Sequence, residues 1–157
     1  MRTRARIVLA GAAVVVALLL SPAAPATTAY SDHLTGTEIV PITSTLGTFV
    51  GVATGDLPAA WRVQIKHRAL ATGSIVAING GTFALVTRSG RKLTGPVTAG
   101  SVSVTNRGSR CTNQTYRVVA ALEIGSFEGT LTHRRRSILG RCIIYAATID
   151  GSGSFSV

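Results

Sequence analysis

The most regular alternation of hydrophobic and polar positions lies in the last third of the chain. Between Thr115 and Ile124, apolar side chains fill the even positions, namely Tyr116, Val118, Ala120, Leu122 and Ile124. A second run, from Phe127 to Arg134, alternates in the same way. Period-two alternation is typical of β-strands that bury one face. The two runs therefore predict an antiparallel pair of strands that turns at residues 125–126.

A third run, from Cys142 to Ile149, completes a predicted three-stranded meander. Its expected inward side chains are Ile143, Tyr145, Ala147 and Ile149. Residues 135–140, which begin with two arginines and end in a glycine, are predicted to form a basic loop ahead of this strand.

The rest of the chain after residue 29 also consists of short alternating runs separated by glycine or asparagine. These runs cover residues 37–46, 48–54, 61–69, 74–78, 82–87, 101–106 and 153–157. Asn79-Gly80-Gly81 predicts a hairpin turn because these residues tolerate positive φ, and residues 90–100 predict a long loop. The pattern predicts one all-β domain, residues 30–157. We expect a small antiparallel β-barrel of about eight to ten strands, with a β-sandwich as the alternative.

Residues 1–29 show the order of segments found in a secretory signal peptide. Three arginines among the first six residues precede an apolar run from Ile7 to Leu20, and Pro22 ends the predicted helix. Small residues then allow cleavage after Ala26 or Ala29. The run is shorter than the ~20 apolar residues that span a bilayer. We therefore expect a secreted protein without a membrane span in its mature form, with an uncleaved anchor as the alternative.

Export changes the interpretation of Cys111 and Cys142, the two cysteines of the chain. An even number of cysteines in an exported protein predicts a disulfide. Flat strands two places apart lie too far from each other for such a bond. Either the sheet coils strongly here, or Cys111 lies on a loop that crosses under the middle strand, and both options favour a closed barrel. No CxxC motif accompanies either cysteine, so we expect no metal site and no cofactor.

The charge balance is strongly basic, with 16 Lys and Arg against six Asp and Glu and a net charge of +10. Removal of the signal peptide takes away three arginines and leaves +7. This charge favours an anionic cell-wall polymer, a lipid head group, an acidic protein or a small molecule as partner, although it also serves solubility alone. Nucleic acid is disfavoured, because aromatic side chains that could stack on bases are not interleaved with the basic ones.

Two groups of residues are candidate ligand-binding sites. His67 and His133 each continue an apolar face at its end, where imidazoles could hold a ligand in the mouth of a barrel. The densest positive charge is Arg134, Arg135 and Arg136, with Arg141 nearby, and guanidinium groups bind phosphate and carboxylate well. The alternatives are hydrogen-bonded histidines at strand ends and a solvated basic loop.

The chain contains no GxSxG, HExxH or P-loop motif, so no catalytic residue is assigned. The leading hypothesis is a non-enzymatic binding module for an anionic or small amphipathic partner. A small-barrel cyclase or isomerase with a cavity histidine is the second hypothesis, and a secreted protease inhibitor is the third.

Two segments carry a resemblance to known proteins. Residues 129–151, GTLTHRRRSILGRCIIYAATIDG, resemble the C-terminal part of small exported proteins of unassigned function from high-GC Gram-positive bacteria. The sequence GSFEG at 125–129 resembles a turn of small barrels of the allene oxide cyclase and dirigent type. The first resemblance implies export, the second implies a barrel, and neither brings an activity with it.

Overall fold

A computed structural model of the protein describes residues 27–39, 45–69 and 75–157. These residues form eight strands and no helix. The strands are β1 (Ala29–Glu38), β2 (Leu46–Gly55), β3 (Ala59–His67), β4 (Ile75–Thr87), β5 (Lys92–Asn106), β6 (Gln114–Leu122), β7 (Gly125–Ile138) and β8 (Arg141–Ser156). Each strand pairs antiparallel with the next, and β8 pairs with β1. The expected all-β fold is confirmed as a closed eight-stranded barrel.

The β1–β8 pair closes the barrel close to both ends of the described chain. Ala29 lies opposite Ser156, and Thr28 and Val157 exchange two backbone hydrogen bonds of 3.1 Å. Signal-peptide cleavage after Ala26 would preserve these pairings, whereas cleavage after Ala29 would remove them. Residues 1–26 of the predicted signal peptide lie outside the described residues.

The barrel has two ends with different connections. We call the end at which β1 and β3 finish, and which carries connections 107–113 and 139–140, the disulfide end, because Cys111 and Cys142 are joined there. The opposite end carries the short connections 56–58, 88–91 and 123–124. Within the described ranges, no helix is long and apolar enough to cross a membrane.

Inward-facing side chains fill the barrel. The indole of Trp61 lies against Gly36 and Gly51, where a Cβ atom on Gly36 would come within 2.5 Å of the indole ring. Phe49 and Phe155 are the largest fully buried side chains. The apolar cavity that remains inside the barrel has a volume of about 50 Å³. An eight-stranded barrel is just wide enough for side chains to fill its interior, and this one is filled almost completely.

Two predicted interruptions were wrong, because glycine serves here to bend strands. Asn79-Gly80-Gly81 lies inside β4, where a bulge leaves Asn79 without a partner on β3 and a Cβ on Gly81 would collide with the Gln64 carbonyl. Residues 92–100 belong to β5 rather than to a long loop. Glycines in strands allow such bulges and close backbone approaches.

Candidate functional site

The β7–β8 hairpin extends beyond the disulfide end of the barrel. β7 pairs with β6 only as far as His133, and β8 pairs with β1 only as far as Thr148. Beyond that point, among residues 27–39, 45–69 and 75–157, β7 and β8 pair only with each other, from Arg134–Ala146 to Ile138–Arg141. We call residues 134–146 the ribbon.

The ribbon corrects two predictions. The expected basic loop is a continuous part of β7, which ends in a two-residue turn at Leu139-Gly140. Ile143 and Tyr145 were expected to face inward, but both are exposed, Tyr145 by 52 %. The reason is that β8 leaves the barrel wall at Thr148 and Ala147, so there is no interior for Ile143 and Tyr145 to face. Ala147 and Ile149 are buried as expected.

One face of the ribbon is held by the 107–113 connection. Cys142 forms the predicted disulfide with Cys111, with Cα atoms 5.3 Å apart. On the same face, Arg135 donates hydrogen bonds to the carbonyls of Thr112 at 2.8 Å and Arg107 at 3.1 Å. Of the two geometries left open by the sequence, Cys111 on a loop is therefore the observed one. These bonds fix the ribbon against the barrel.

The other face of the ribbon is exposed in the described part of the chain and mixes apolar with basic side chains. Strand alternation places Arg136, Ile138, Arg141, Ile143 and Tyr145 on it. The guanidinium of Arg136 lies over the Tyr145 ring, 5.3 Å from its centroid. At the tip, Leu139 is 97 % exposed.

Six arginines lie on the ribbon and the adjoining 107–113 connection at the disulfide end, and Arg68, which follows β3, is a seventh at the same end. The ribbon contributes Arg134, Arg135, Arg136 and Arg141, and the 107–113 connection contributes Arg107 and Arg110. We call these six residues the arginine cluster. Of the six acidic residues in the chain, Glu38 is the one placed at this end. The potential here is therefore strongly positive, while Asp32, Asp56 and Glu123 lie at the opposite end.

Glu38 is buried and paired with His133 at the base of the ribbon. Their side chains are 4 % and 13 % exposed, and Glu38 Oε2 lies 3.3 Å from His133 Nε2. The pair spans β8, where the small inward residue Ala147 lies opposite His133 and leaves room for it. Neither ring nitrogen of His133 has a hydrogen-bond partner in the described part of the chain, so the contact with Glu38 is an ion-pair contact.

Tyr116 completes this polar layer. Its ring centroid lies 5.0 Å from that of His133, and its hydroxyl donates a 2.9 Å hydrogen bond to Gln114 Oε1. Burial raises the pKa of Tyr116; the positive charge of Arg135 lowers it and the carboxylate of Glu38 raises it further, with a net upward shift. Tyr116 is therefore a neutral hydrogen-bond donor at physiological pH.

The two candidate histidines do not form a joint site. His67 is on β3 and His133 on β7, four strands apart in either direction around the barrel. His67 Nδ1 donates to the neighbouring carbonyl of Arg68 at 2.7 Å. Neither histidine lines the interior cavity. Among the residues of known position, no group of three or more His, Cys, Asp or Glu could hold a metal ion.

Sequence reasoning missed Glu38, Arg107 and Arg110. Glu38 could not be linked to His133, because the pairing depends on barrel closure across 95 positions of sequence. The arginines had a usable signal: Arg110 and Arg141 each directly precede a bridged cysteine, so the predicted disulfide already implied that they lie close together.

Comparison of the chain with family models, with curated proteins and with solved structures finds no match. The resemblance to small exported proteins therefore stays a prediction. What can be said of function depends on the geometry of the disulfide end.

Proposed function

We propose that this protein is an exported, non-enzymatic β-barrel that binds an anionic partner through the arginine cluster. The observation that carries the proposal is that six arginines lie on the ribbon and the 107–113 connection, at an end whose one carboxylate, Glu38, is buried against His133. Guanidinium groups bind phosphate and carboxylate in bidentate fashion. A positive end without exposed acidic groups also attracts polyanions over a distance.

The way the cluster is held supports binding rather than simple solubility. The disulfide and the two hydrogen bonds from Arg135 fix the ribbon to the 107–113 connection. Groups that are ordered before binding lose less conformational entropy when the partner arrives. A disulfide is also compatible with an extracellular location, which supports export.

The test uses two variants with equal loss of charge. The first replaces Arg134, Arg136 and Arg141 by serine and leaves Arg135 in place, because Arg135 holds the 107–113 connection. The control replaces Arg88, Arg91 and Lys92, three basic side chains near the opposite end, by serine.

Retention on immobilised heparin and on isolated cell wall is measured as the salt concentration needed for elution. We expect the ribbon variant to elute at clearly lower salt than wild type, and the control to elute close to wild type. Equal losses for the two variants would mean that net charge alone drives retention, and unchanged retention of the ribbon variant would also refute the proposal.

A cyclase- or isomerase-type enzyme is the second candidate function. The observation in its favour is the Glu38–His133 pair. In enzymes, a carboxylate commonly orients a histidine that acts as general base. Binding is the better-supported function, since neither His67 nor His133 lines the interior cavity. Turnover of a small carbonyl or epoxide substrate that is lost in His133→Gln would favour the enzyme.

A further inference from the structure

We propose that the anionic partner is a lipid surface and that the tip of the ribbon inserts into it, an inference that rests on the proposed function. The inserted group is Leu139 with its neighbour Ile138. The arginine cluster would contact phosphate groups of the lipids, while the barrel stays in the aqueous phase.

Neither folding nor solubility favours a leucine at position 139. Its side chain is 97 % exposed, and its φ of +49° lies in the left-handed region, which disfavours a branched apolar residue. Gly140, with a φ of +76°, completes a two-residue turn in which asparagine is preferred at the first position. A residue that breaks local rules without a structural gain is expected at a functional site.

The exposed face of the ribbon has the composition of an interfacial segment. Ile138, Ile143 and Tyr145 are exposed on it next to Arg136 and Arg141. Tyrosine is enriched at the level of lipid head groups, and arginines beside an apolar tip bind anionic lipids. The contact of Arg136 with the Tyr145 ring keeps guanidinium and phenol at one level of the ribbon.

The ribbon is long enough for this role. From Arg134 to the tip, five residues of extended strand reach about 17 Å beyond the barrel wall. Interfacial segments bury their apolar face about 5–10 Å into a bilayer. Leu139 can therefore enter the lipid while the barrel remains outside.

Charge complementarity selects lipid over the other occupants of this surface. A second copy of the chain would bring two arginine clusters together, which is repulsive. A hydrophilic polymer would match the arginines but would leave Leu139 in water. An anionic bilayer satisfies both, since phosphates and an apolar phase lie within a few ångströms of each other.

The first experiment measures co-sedimentation of the full chain with vesicles of 30 % phosphatidylglycerol in phosphatidylcholine, and with phosphatidylcholine alone. Leu139→Asn removes the apolar tip and gives the turn its preferred residue, so this variant folds at least as well as wild type. Val86→Thr, which removes an exposed apolar side chain on the outer wall near the opposite end, is the control. We expect Leu139→Asn to bind anionic vesicles roughly tenfold more weakly and Val86→Thr to bind like wild type.

The second experiment measures how deeply the ribbon tip enters the bilayer. It uses Leu139→Trp and lipids brominated in their acyl chains, which quench the fluorescence of a tryptophan that reaches them. Trp61, the one native tryptophan, is inside the barrel and supplies a constant background. Quenching of the new tryptophan on anionic vesicles supports insertion.

The outcomes separate this inference from the proposed function. Absence of quenching together with full binding by Leu139→Asn refutes insertion and leaves arginine-mediated binding intact. Wild type that is retained on heparin but does not bind anionic vesicles refutes the lipid partner alone. Absence of binding to both heparin and anionic vesicles refutes the proposed function as well.

Discussion

Glu38 and His133 place a carboxylate and an imidazole inside the wall of the barrel, where each depends on the other. Glu38 Oε2 and His133 Nε2 lie 3.3 Å apart, and both side chains are nearly inaccessible to solvent. Within the described ranges, neither of these two atoms has another polar partner. Removal of one member of a buried pair leaves the other unpaired in an apolar setting, whereas replacement of both by apolar residues is often neutral.

This dependence predicts a non-additive result. We expect His133→Leu and Glu38→Leu each to lower the free energy of unfolding by about 3 kcal/mol. We expect the double variant to unfold much nearer to wild type than two independent losses would give. Urea denaturation of the three variants measures the coupling. Additive losses would show that the two side chains act separately.

Tyr116 predicts a dependence of stability on alkaline pH. Burial raises its folded pKa above the ordinary value of 10.0, despite the opposing charge of Arg135. Its contribution to stability is therefore fully present below pH 10 and is lost as the pH rises through the folded pKa, since the unfolded state ionises first.

In an ultraviolet difference titration of wild type against Tyr116→Phe, we expect the Tyr116 phenol to ionise above the ordinary tyrosine pKa of 10.0. We expect Tyr116→Phe to flatten the decline of the unfolding free energy above pH 10, whereas Tyr145→Phe, which alters an exposed ring, should not. Ionisation of the Tyr116 phenol at or below pH 10 would contradict the effect of burial.

At the scale of elements, the disulfide joins the 107–113 connection to the ribbon. In the chain-entropy model, a loop closed over 31 positions stabilises the fold by about 3–4 kcal/mol. Serine at both Cys111 and Cys142 should lower the unfolding free energy by that amount, measured by urea denaturation. It should also weaken retention on heparin, because the arginine cluster is then less ordered before binding. Unchanged retention would mean that the disulfide supports only the barrel.

Alternation of side chains could predict which residues of a strand face inward, but not where the strand leaves the barrel. The pattern placed Tyr116, Val118 and Ala120 inside, and they are buried. The same pattern put Tyr145 inside, where it is exposed, because a register shift at Arg134–Arg135, a bulge in β8, marks the start of the ribbon. The bulge leaves Tyr145 without a partner on β7 and turns Ile143 to the face opposite that of Ala147, and nothing in the sequence marks the position of this bulge.

The candidate site was predictable in its charge and not in its shape. The run from Arg134 to Arg136 is visible in the sequence, and the disulfide partners were inferred from their number and compartment. The apolar side of the site was missed, because Leu139 was expected in a solvated loop. Its importance depends on a positive φ and near-complete exposure, which only the structure supplies.

At the scale of the molecule, the eight strands close into a barrel whose filled interior leaves its two ends as the places where a partner could bind. The interior is filled and keeps a cavity of only about 50 Å³, which is small for an organic ligand. The opposite end has short connections, whereas the disulfide end carries the ribbon and the arginine cluster. The barrel thus acts as a rigid support for one basic and partly apolar projection.

Amide hydrogen exchange of the full chain, with and without heparin, tests this account most directly. We predict that the polyanion slows exchange in residues 107–113 and 134–146 and leaves residues 56–58 and 88–91 unchanged. Those last segments include Arg88 and Arg91, so they control for non-specific attraction at the other end. Protection that is uniform over the barrel, or that is found at residues 88–91 instead of the ribbon, would contradict a binding site at the disulfide end.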